Sequence, residues 1–298
     1  MIKKKVIAVT GLNGVVGNIF ADLYGDKYDL IDLYHKKKVS SKLAIKKHYK
    51  LDLLDGKKIQ KVLRKTSPSV IVHLAAITHI DRCEKDRKKG EKGNAWRINV
   101  DATREIADFC VQHKIPLIYL STECVFDGQK KTFNENSRKN PRNWYGITKS
   151  AAEDLIIKSG AKFAIIRSVV AYHKKDHGKT IYGKVLSSLR NKGVVFAVSD
   201  QLFTPTYTED IVRGISTVID KNLRGVFHVA PRKSISPYDF AVLIAQSNNY
   251  KIKQVKKATL HSLYGKEKAD LRLINASLSA TKSRKALEFV PKNPSDVI

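Results

Sequence analysis

The sequence has 298 residues, of which 42% are hydrophobic, and this is enough for a full α/β domain with a smaller second lobe. No apolar run reaches the roughly 18 residues of a membrane span, and residues 1–5 lead into a predicted strand rather than a signal-peptide core, so we expect a cytoplasmic protein without a membrane partner. Cys83, Cys110 and Cys124 lack metal-ligand spacing and cannot all pair, so we expect neither a metal site nor a structural disulfide.

The formal net charge is +28, which by itself would indicate a nucleic-acid or acidic-membrane partner. The cations are 42 lysines and 14 arginines scattered through every segment. Because nucleic-acid faces favour arginine and aromatic residues, we interpret the excess as a lysine-rich solvated surface and predict no nucleic-acid partner. The charge would still help to attract an anionic small substrate.

Residues 6–17 contain an apolar run followed by the pattern Gly-x-x-Gly-x-x-Gly. We interpret this stretch as a buried strand, a turn and the start of a helix whose free N–H groups hold the pyrophosphate of a dinucleotide. Gly11 allows the tight turn, Gly14 the approach of backbone to phosphate, and Gly17 the packing of helix on strand. The residues predicted to form this part of the site are Gly11, Asn13, Gly14, Val15, Val16 and Gly17.

Residues 28–33 form the second predicted strand, whose end faces the adenosine ribose in dinucleotide folds. Asp32 favours NAD, since an acid there binds the ribose, whereas the cationic residues 35–38 would accommodate the extra phosphate of NADP. If Asp32 lies inside the strand instead of at its tip, it cannot bind the ribose and NADP is preferred. We therefore favour NADP over NAD, with His35 and Lys36 beside it.

Strand and helix patterns then alternate as far as residue 167, which predicts parallel βαβ units and a doubly wound α/β sheet of the Rossmann type. Residues 81–93 form a charged loop or frayed helix. The predicted strands are 49–53, 70–76, 116–122, 163–167, 194–198 and 225–229. The predicted helices are 55–65, 94–113, 145–159, 181–191, 210–220, 236–247 and 279–287.

The sequence contains no internal repeat and no low-complexity linker, so we expect the second lobe to be interleaved with the first. Residues 1–168 are the expected dinucleotide-binding domain, and residues 200–230 return to it. Residues 169–199 and 231–298 are the expected substrate-binding lobe.

Tyr145 and Lys149 lie four residues apart in a predicted helix, so both side chains reach one face. The preceding strand ends in two hydroxyl side chains, Ser121 and Thr122. Reduction of a ketone by a nicotinamide needs an acid near neutral pH, and a tyrosine can serve only if a desolvated cation stabilises its anion. We therefore predict that Tyr145 transfers the proton, Lys149 lowers its pKa, and Thr122 binds the carbonyl oxygen.

A series of motifs runs in order along nearly the whole chain. They are Thr10-Gly11-x-x-Gly14-x-x-Gly17, His73-Leu74-Ala75-Ala76, Asn99, Ser121-Thr122-x-x-Val125-Phe126-Asp127-Gly128, Tyr145-Gly146-x-Thr148-Lys149, Glu153, Thr204-Pro205-Thr206-Tyr207, Gly225-Val226-Phe227-His228 and Arg272-x-x-Asn275. The series resembles the extended short-chain dehydrogenase/reductases. Within them it is most similar to the dTDP-4-dehydrorhamnose reductase family, to which the regulatory β subunit of methionine adenosyltransferase is related.

The resemblance implies reduction of the 4-keto group of a sugar carried on a nucleoside diphosphate, with NADP or NAD as cofactor. It implies catalysis by Thr122, Tyr145 and Lys149. The further residues that it places beside the cofactor are Asp52 and Leu53 at the adenine, Ala75 and Ala76 at the middle, Val169 and Val170 at the nicotinamide, and Thr78, Asn99, Ser121, Tyr145 and Lys149. Those that it places beside the substrate are Thr122, Cys124, Val125, Phe126, Tyr145 and, at the phosphates, Arg272.

The chain departs from the family pattern at Cys124, where tyrosine is usual, and at Leu273, where proline is usual. GDP-fucose synthase and the plant rhamnose epimerase/reductases also resemble this chain and carry an acid–base cysteine at the place of Cys124. A bifunctional 3,5-epimerase/4-reductase is therefore one alternative, and a non-catalytic NADP-binding regulatory subunit is another. The oligomeric state stays open, with a homodimer as one alternative.

Overall fold

The computed structural model describes residues 3–40, 43–175 and 180–298. Its strands are β1 Val6–Thr10, β2 Asp29–Tyr34, β3 Lys47–Lys50, β4 Val70–His73, β5 Leu117–Thr122, β6 Phe163–Ser168, β7 Val195–Val198, β8 Leu202–Phe203, β9 Gly225–His228, β10 Val255–Ala258 and β11 Asn275–Ala276. Seven of them form one sheet in the order β3-β2-β1-β4-β5-β6-β9, while β10 pairs with β7 and β11 with β8.

The helices connect these strands. They are α1 Val15–Tyr24, α2 Gly56–Thr66, α3 Ile80–Arg87, α4 Asn94–Trp96, α5 Ala102–His113, α6 Trp144–Lys158, α7 Ile181–Lys192, α8 Thr208–Lys221, α9 Pro237–Ser247, α10 Leu260–Tyr264, α11 Lys266–Asp270, α12 Thr281–Leu287 and α13 Pro294–Val297. A π-helical turn, Arg97–Asp101, separates α4 from α5. Among the described residues, no helix combines the length and the apolar character that crossing a membrane requires.

Strand β1 lies between β2 and β4 and pairs with both in parallel. Further parallel pairs join β2 to β3 on one side and β4 to β5 on the other. This is the doubly wound α/β arrangement that the alternating pattern predicted, so the fold class is confirmed. Sheets of this kind bind ligands at the carboxyl ends of the strands where the strand order reverses, which here means the ends of β1 and β4.

Burial explains why these stretches adopt their elements. Ile7, Ala8 and Val9 of β1 have no exposed surface, as expected for a strand covered on both faces. Helix α2 begins after Asp55, whose carboxylate accepts a hydrogen bond from the backbone N–H of Lys58 at 3.0 Å. Its apolar side chains, Ile59 among them, enter the same core. Each such buried aliphatic side chain contributes about 1.5–3 kcal/mol to folding.

The chain forms two compact units. The first comprises Met1–Ser121, Trp144–Ile166 and Val212–Val226, and the second comprises Thr122–Asn143, Arg167–Ile211 and Phe227–Ile298. We expected the first domain to end at residue 168, and a segment of the first unit ends at Ile166. The segment that returns to it is shorter than the expected 200–230, and the segment after β5 belongs to the second unit.

Several elements differ from the sequence-based expectation. Strand β3 covers 47–50 rather than 49–53, and β4 ends at residue 73 rather than 76 because the chain turns away there. The charged stretch 81–93 contains helix α3, and the basic stretch after residue 250 contains β10, in which Val255 is buried while the next two lysines are exposed. Strands of two residues, such as β8, are too short to show a period in the sequence.

Candidate active site

The glycine turn after β1 has the geometry that its pattern predicted. Gly11 has a φ of +75°, and a Cβ atom there would lie 2.8 Å from the backbone nitrogen of Ala75, just beyond β4. A Cβ atom on Gly17 would lie 2.4 Å from the carbonyl oxygen of Gly11, so only glycine lets α1 pack on the turn. Gly14 is exposed, and the nearest atom to a Cβ there would be the same carbonyl oxygen at 3.1 Å.

The start of α1 presents backbone donors without a side-chain cap. Gly14 is the residue at its N-cap and supplies no side-chain hydrogen bond, and the first turn contains no acidic residue. Val16 is buried behind this turn, while Asn13 and Val15 are half-buried beside it. An uncapped helix N-terminus of this kind attracts anions, so the turn fits the pyrophosphate of a dinucleotide.

Asp32 lies inside β2 and not at its tip. Its carboxylate is fully buried, accepts the backbone N–H of Val39 at 3.1 Å and lies 3.0 Å from Nδ1 of His48. The strand ends at Tyr34, and the next residues, His35 and Lys36, are exposed. Asp32 therefore does not lie at the tip of the strand, where an acid would bind the ribose, and the residues that follow the tip are His35 and three lysines.

The ends of the neighbouring strands supply small and polar groups. Asp52 follows β3, and its Oδ2 lies 3.6 Å from Nε2 of His35. The backbone N–H of Ala75 donates to Oγ1 of Thr10 at 3.2 Å. The remaining predicted cofactor residues at these strand ends are Leu53 and Ala76, which are half-buried, and Thr78, which is exposed.

Asn99 lies in the π-helical turn, and its buried amide bonds to the protein itself. Its Oδ1 accepts the backbone N–H of Ile77 at 2.8 Å, and its Nδ2 donates to the carbonyl of Ile77 at 3.0 Å and to Oγ1 of Thr148 at 2.9 Å. These contacts join the segment after β4 to helix α6. They favour a positioning role for Asn99, which was predicted to line the cofactor site.

Lys149 is a buried cation on α6. Its ammonium donates to the carbonyl of Leu120 at 2.7 Å and lies 3.8 Å from the ring centre of Tyr119. Burial lowers the pKa of Lys149 to about 7, against an opposing effect from Glu153. Lys149 thus has the desolvated environment that activation of a tyrosine requires.

Tyr145 lies one helical turn before Lys149 and is 9% exposed. Its backbone carbonyl accepts a hydrogen bond from Oγ1 of Thr148 at 2.8 Å, the hydroxyl that Asn99 also holds. Ser121 donates to the buried carboxylate of Glu153 at 2.6 Å. The first unit thus contains Tyr145 and Lys149 together with Ser121, Asn99 and the residues of the glycine turn.

Thr122, Glu123 and Cys124 form a buried cluster of polar side chains in the second unit. The Thr122 hydroxyl donates to Glu123 at 2.7 Å and accepts the backbone N–H of Cys124 at 3.2 Å. Burial raises the pKa of the Glu123 carboxyl, and burial followed by the charge of Glu123 raises the pKa of the Cys124 thiol well above its usual value. Sequence reasoning missed Glu123, although a carboxylate directly after two strand-end hydroxyls was a usable signal.

The next two predicted substrate residues, Val125 and Phe126, have no exposed surface. Phe126 stacks on Phe133 with ring centres 4.5 Å apart, and the guanidinium of Arg167 lies 5.1 Å from its ring centre. The side chains of Val125 and Phe126 therefore pack in the interior of the second unit. This geometry does not support contact between them and a substrate.

Val170 has a strained backbone and an exposed apolar side chain. Its φ is +30°, which is unfavourable for a β-branched residue, and it is 40% exposed. The adjacent Val169 is buried, and its N–H donates to Oγ1 of Thr206 at 3.3 Å. Strain of this kind collects at ligand sites, which supports the predicted role of Val170.

Arg272 is half-buried, with its guanidinium 3.7 Å from the ring centre of Tyr264 and a hydrogen bond to the carbonyl of Lys268. The next residue, Leu273, packs against Gly128, where a Cβ atom would lie 2.7 Å from the Leu273 Cβ. Among the described residues, no group of His, Cys, Asp or Glu side chains could hold a metal ion.

The doubly wound sheet, the glycine turn and the Tyr145–Lys149 pair define a Rossmann-type protein with the motif set of a short-chain dehydrogenase/reductase. Comparison with known families gives the particular group. The chain belongs to the RmlD substrate binding domain family, whose model matches residues 5–294. This confirms the resemblance to the dTDP-4-dehydrorhamnose reductase family.

Individual proteins agree with this membership. A dTDP-4-keto-6-deoxy-D-glucose reductase of Streptomyces niveus is 32% identical over 204 residues, which are 67% of each chain. The methionine adenosyltransferase 2 subunit beta of Danio rerio is 27% identical over 82% of this chain and 74% of that protein. The crystal structure of dTDP-4-dehydrorhamnose reductase from Bacillus anthracis in complex with NADP matches with a TM-score of 0.85 at 24% identity, covering 99% of this chain and 97% of that one, and this confirms the fold.

Proposed function

We propose that this protein is an NAD(P)H-dependent reductase of the 4-keto group of a nucleotide-linked deoxysugar, since several relatives are named dTDP-4-dehydrorhamnose reductase or dTDP-4-keto-6-deoxy-D-glucose reductase. The main support is the buried Lys149 ammonium one helical turn from Tyr145. In this reaction the bound cofactor supplies a hydride to the ketone carbon. The protein must supply a proton to the ketone oxygen and hold both molecules.

Tyr145 is the proposed proton donor, and free-energy magnitudes explain why Lys149 must be buried. Lowering the pKa of a tyrosine from its usual value near 10 to about 7 requires roughly 4 kcal/mol. An exposed ion pair contributes at most about 1 kcal/mol, whereas a desolvated pair interacts several times more strongly. The hydroxyl of Thr122 is the proposed hydrogen-bond donor to the ketone oxygen, with Glu123 as its present partner.

The residues at the strand ends fit a dinucleotide. The uncapped start of α1 would hold the pyrophosphate, with Gly14 leaving room for it. The half-buried Ala75 and Ala76 would lie along the middle of the cofactor, and Val169 and Val170 beside the nicotinamide. In this proposal the first unit is the dinucleotide-binding domain and the second is the substrate-binding lobe, in which Arg272 binds the substrate phosphates.

We propose NADP as the preferred cofactor because His35 and Lys36 follow the tip of β2 while Asp32 is buried inside it. Replacing both by alanine should weaken NADPH binding about tenfold and change NADH binding less than about twofold, since only NADPH has the extra phosphate. Fluorescence titration with each cofactor measures this. The matched control removes two exposed cations of α2, Lys61 and Lys65, and should leave both affinities unchanged. An equal loss for NADPH and NADH would contradict the assignment.

The proposed activity is tested by following NADPH oxidation after adding dTDP-, UDP- or GDP-linked 4-keto-6-deoxy sugars. Rapid oxidation with at least one of them is expected. If none is reduced although NADPH binds, and the chain instead co-purifies with a methionine adenosyltransferase catalytic subunit, the regulatory alternative is correct. The similarity to the methionine adenosyltransferase 2 subunit beta of Danio rerio makes that alternative the second candidate.

Epimerisation through Cys124 is not favoured by the site. An epimerase needs a base that removes a proton beside the ketone, and a thiol does this as thiolate. Burial and Glu123 raise the pKa of Cys124 and oppose that form. We therefore propose reduction without epimerisation, and retention of full activity by Cys124→Ser with an unchanged product configuration would support it.

We further propose a cytoplasmic homodimer. All three cysteines are free thiols, which suits a reducing compartment such as the cytoplasm.

The proposed dimer interface is a groove of about 530 Å³ between α5 and α6. It is lined by apolar groups such as Trp96 and by two cations and two anions, Arg104, Lys158, Asp108 and Asp154. In a chain of net charge +28, two copies would repel less across such a balanced surface than across a lysine-rich one. A monomer in sedimentation at micromolar concentration would refute the dimer.

A further inference from the structure

A chain of hydrogen bonds, of which all but the first are buried, crosses the first unit from the glycine turn to the π-helical turn. The backbone N–H of Ala75 donates to Thr10 Oγ1 at 3.2 Å, and Thr10 Oγ1 lies 2.6 Å from Nδ1 of His73. On the other side of the ring, Nε2 of His73 lies 3.1 Å from Oγ1 of Thr103. The Thr103 hydroxyl donates to the carbonyl of Asn99 at 2.8 Å. Thr10, His73, Thr103 and Asn99 are all at most 1% exposed.

The last of these bonds fixes the direction of the others. Because the only hydrogen of the Thr103 hydroxyl points to Asn99, its oxygen must accept from His73, so Nε2 of His73 has the proton. Nδ1 is then an acceptor for the Thr10 hydroxyl, whose oxygen in turn accepts from Ala75. Burial, followed by the charge of Lys149, lowers the pKa of His73 to about 3, so this neutral tautomer persists at neutral pH.

The chain of hydrogen bonds continues to helix α6, which contains Tyr145 and Lys149. The Asn99 side chain donates to Thr148, and Thr148 donates to the backbone carbonyl of Tyr145. The ring of His73 also packs on Tyr119 with ring centres 5.6 Å apart, and Tyr119 holds the Lys149 ammonium on its face. His73 is therefore connected to the dinucleotide turn on one side and to both reactive residues of α6 on the other.

We propose that His73 is a positioning residue that fixes helix α6 relative to the glycine turn. The inference rests on the proposed reductase function. If so, breaking the hydrogen bond between His73 and Thr103 of α5 should lower the rate of the chemical step and leave the affinity for the cofactor unchanged. A displacement of Tyr145 by about 1 Å from its reactive geometry is enough for a loss of rate of about a hundredfold.

Thr103→Val breaks the link while keeping the shape of the side chain. We expect kcat to fall about tenfold or more, with the Kd for NADPH changed less than about twofold and the KM for substrate similarly unchanged. The matched control is Thr66→Val in α2, another buried threonine whose hydroxyl donates to a backbone carbonyl, that of Leu63 at 2.8 Å. This control should lose similar stability and keep its kcat. If both variants keep wild-type kcat, or both lose it equally, the positioning role is wrong.

A second measurement does not need turnover. Amide exchange in the second half of α6, residues 152–158, should slow when NADP⁺ binds the wild-type chain and Thr66→Val, and slow much less in Thr103→Val. An equal response in all three proteins would overturn the inference. If NADP⁺ binds but no ketosugar is reduced, the proposed function fails, and the exchange experiment still decides whether His73 couples the turn to the helix.

Discussion

Tyr145→Phe should reduce kcat for ketosugar reduction by about a thousandfold or more while NADPH still binds. The substitution removes the only group that we assign as proton donor, and general acid catalysis of this kind contributes about 10²–10⁴-fold. The ring is 9% exposed and keeps its packing, so the folded state should be nearly as stable as the wild type. Steady-state rates and cofactor titration on the same preparation separate loss of chemistry from loss of binding.

The matched control for this substitution is Tyr172→Phe. Tyr172 is fully buried in the second unit, and its hydroxyl has no hydrogen-bond partner among the described residues. The Tyr172→Phe variant should therefore keep full activity. A Tyr145→Phe enzyme that turns over at the wild-type rate would remove Tyr145 from its assigned role as proton donor.

Gly17→Ala should disrupt the turn between β1 and α1. The new Cβ atom would lie 2.4 Å from the carbonyl oxygen of Gly11 and 2.5 Å from the Cα of Leu12, and both neighbours are backbone atoms that no rotamer change can move. We expect a loss of about 3 kcal/mol in stability, or a fall in Tm of roughly 5–10 °C, from overpacking. NADPH should bind at least about tenfold more weakly, since the helix can no longer keep its place on the turn.

Gly56→Ala is the corresponding control. Gly56 is the first residue of α2, and the nearest atoms to a Cβ there would be those of the flexible side chain of Glu105, at 3.3 Å. Alanine is favoured over glycine in helices by about 0.5–1 kcal/mol, so this variant should be at least as stable as the wild type. Calorimetry together with cofactor titration compares the two. If Gly17→Ala unfolds at the same temperature as Gly56→Ala, close packing of α1 on the turn is not what requires glycine.

The sequence was sufficient to predict the parts of this protein that depend on local pattern. Alternating apolar segments predicted the doubly wound sheet, and the positive φ of Gly11 and the tight packing at Gly17 agree with the reasons given for those glycines. The four-residue spacing predicted that Tyr145 and Lys149 share a helix, and the need for a desolvated cation anticipated the burial of Lys149.

Features that depend on contacts between distant segments could not be read in the same way. The burial of Asp32 against Val39 and His48 depends on how β3 pairs beside β2. The hydrogen bonds of His73 join residues that are 63 and 30 positions away in the chain. The apolar pattern around His73 predicts that it is buried. Its hydrogen-bond partners are known only from the packed strands and helices.

The π-helical turn at Arg97–Asp101 has a consequence for chain length. A wide turn accommodates one residue more than an α-helix does, and each residue of an α-helix advances the chain by about 100° around the axis. Deleting a single residue there would restore regular winding and keep Ile106 and Phe109 of α5 on the hydrophobic side, whereas deleting a residue inside α5 itself would rotate everything that follows by that angle. The π-helical turn should therefore tolerate the loss of one residue better than the regular part of α5.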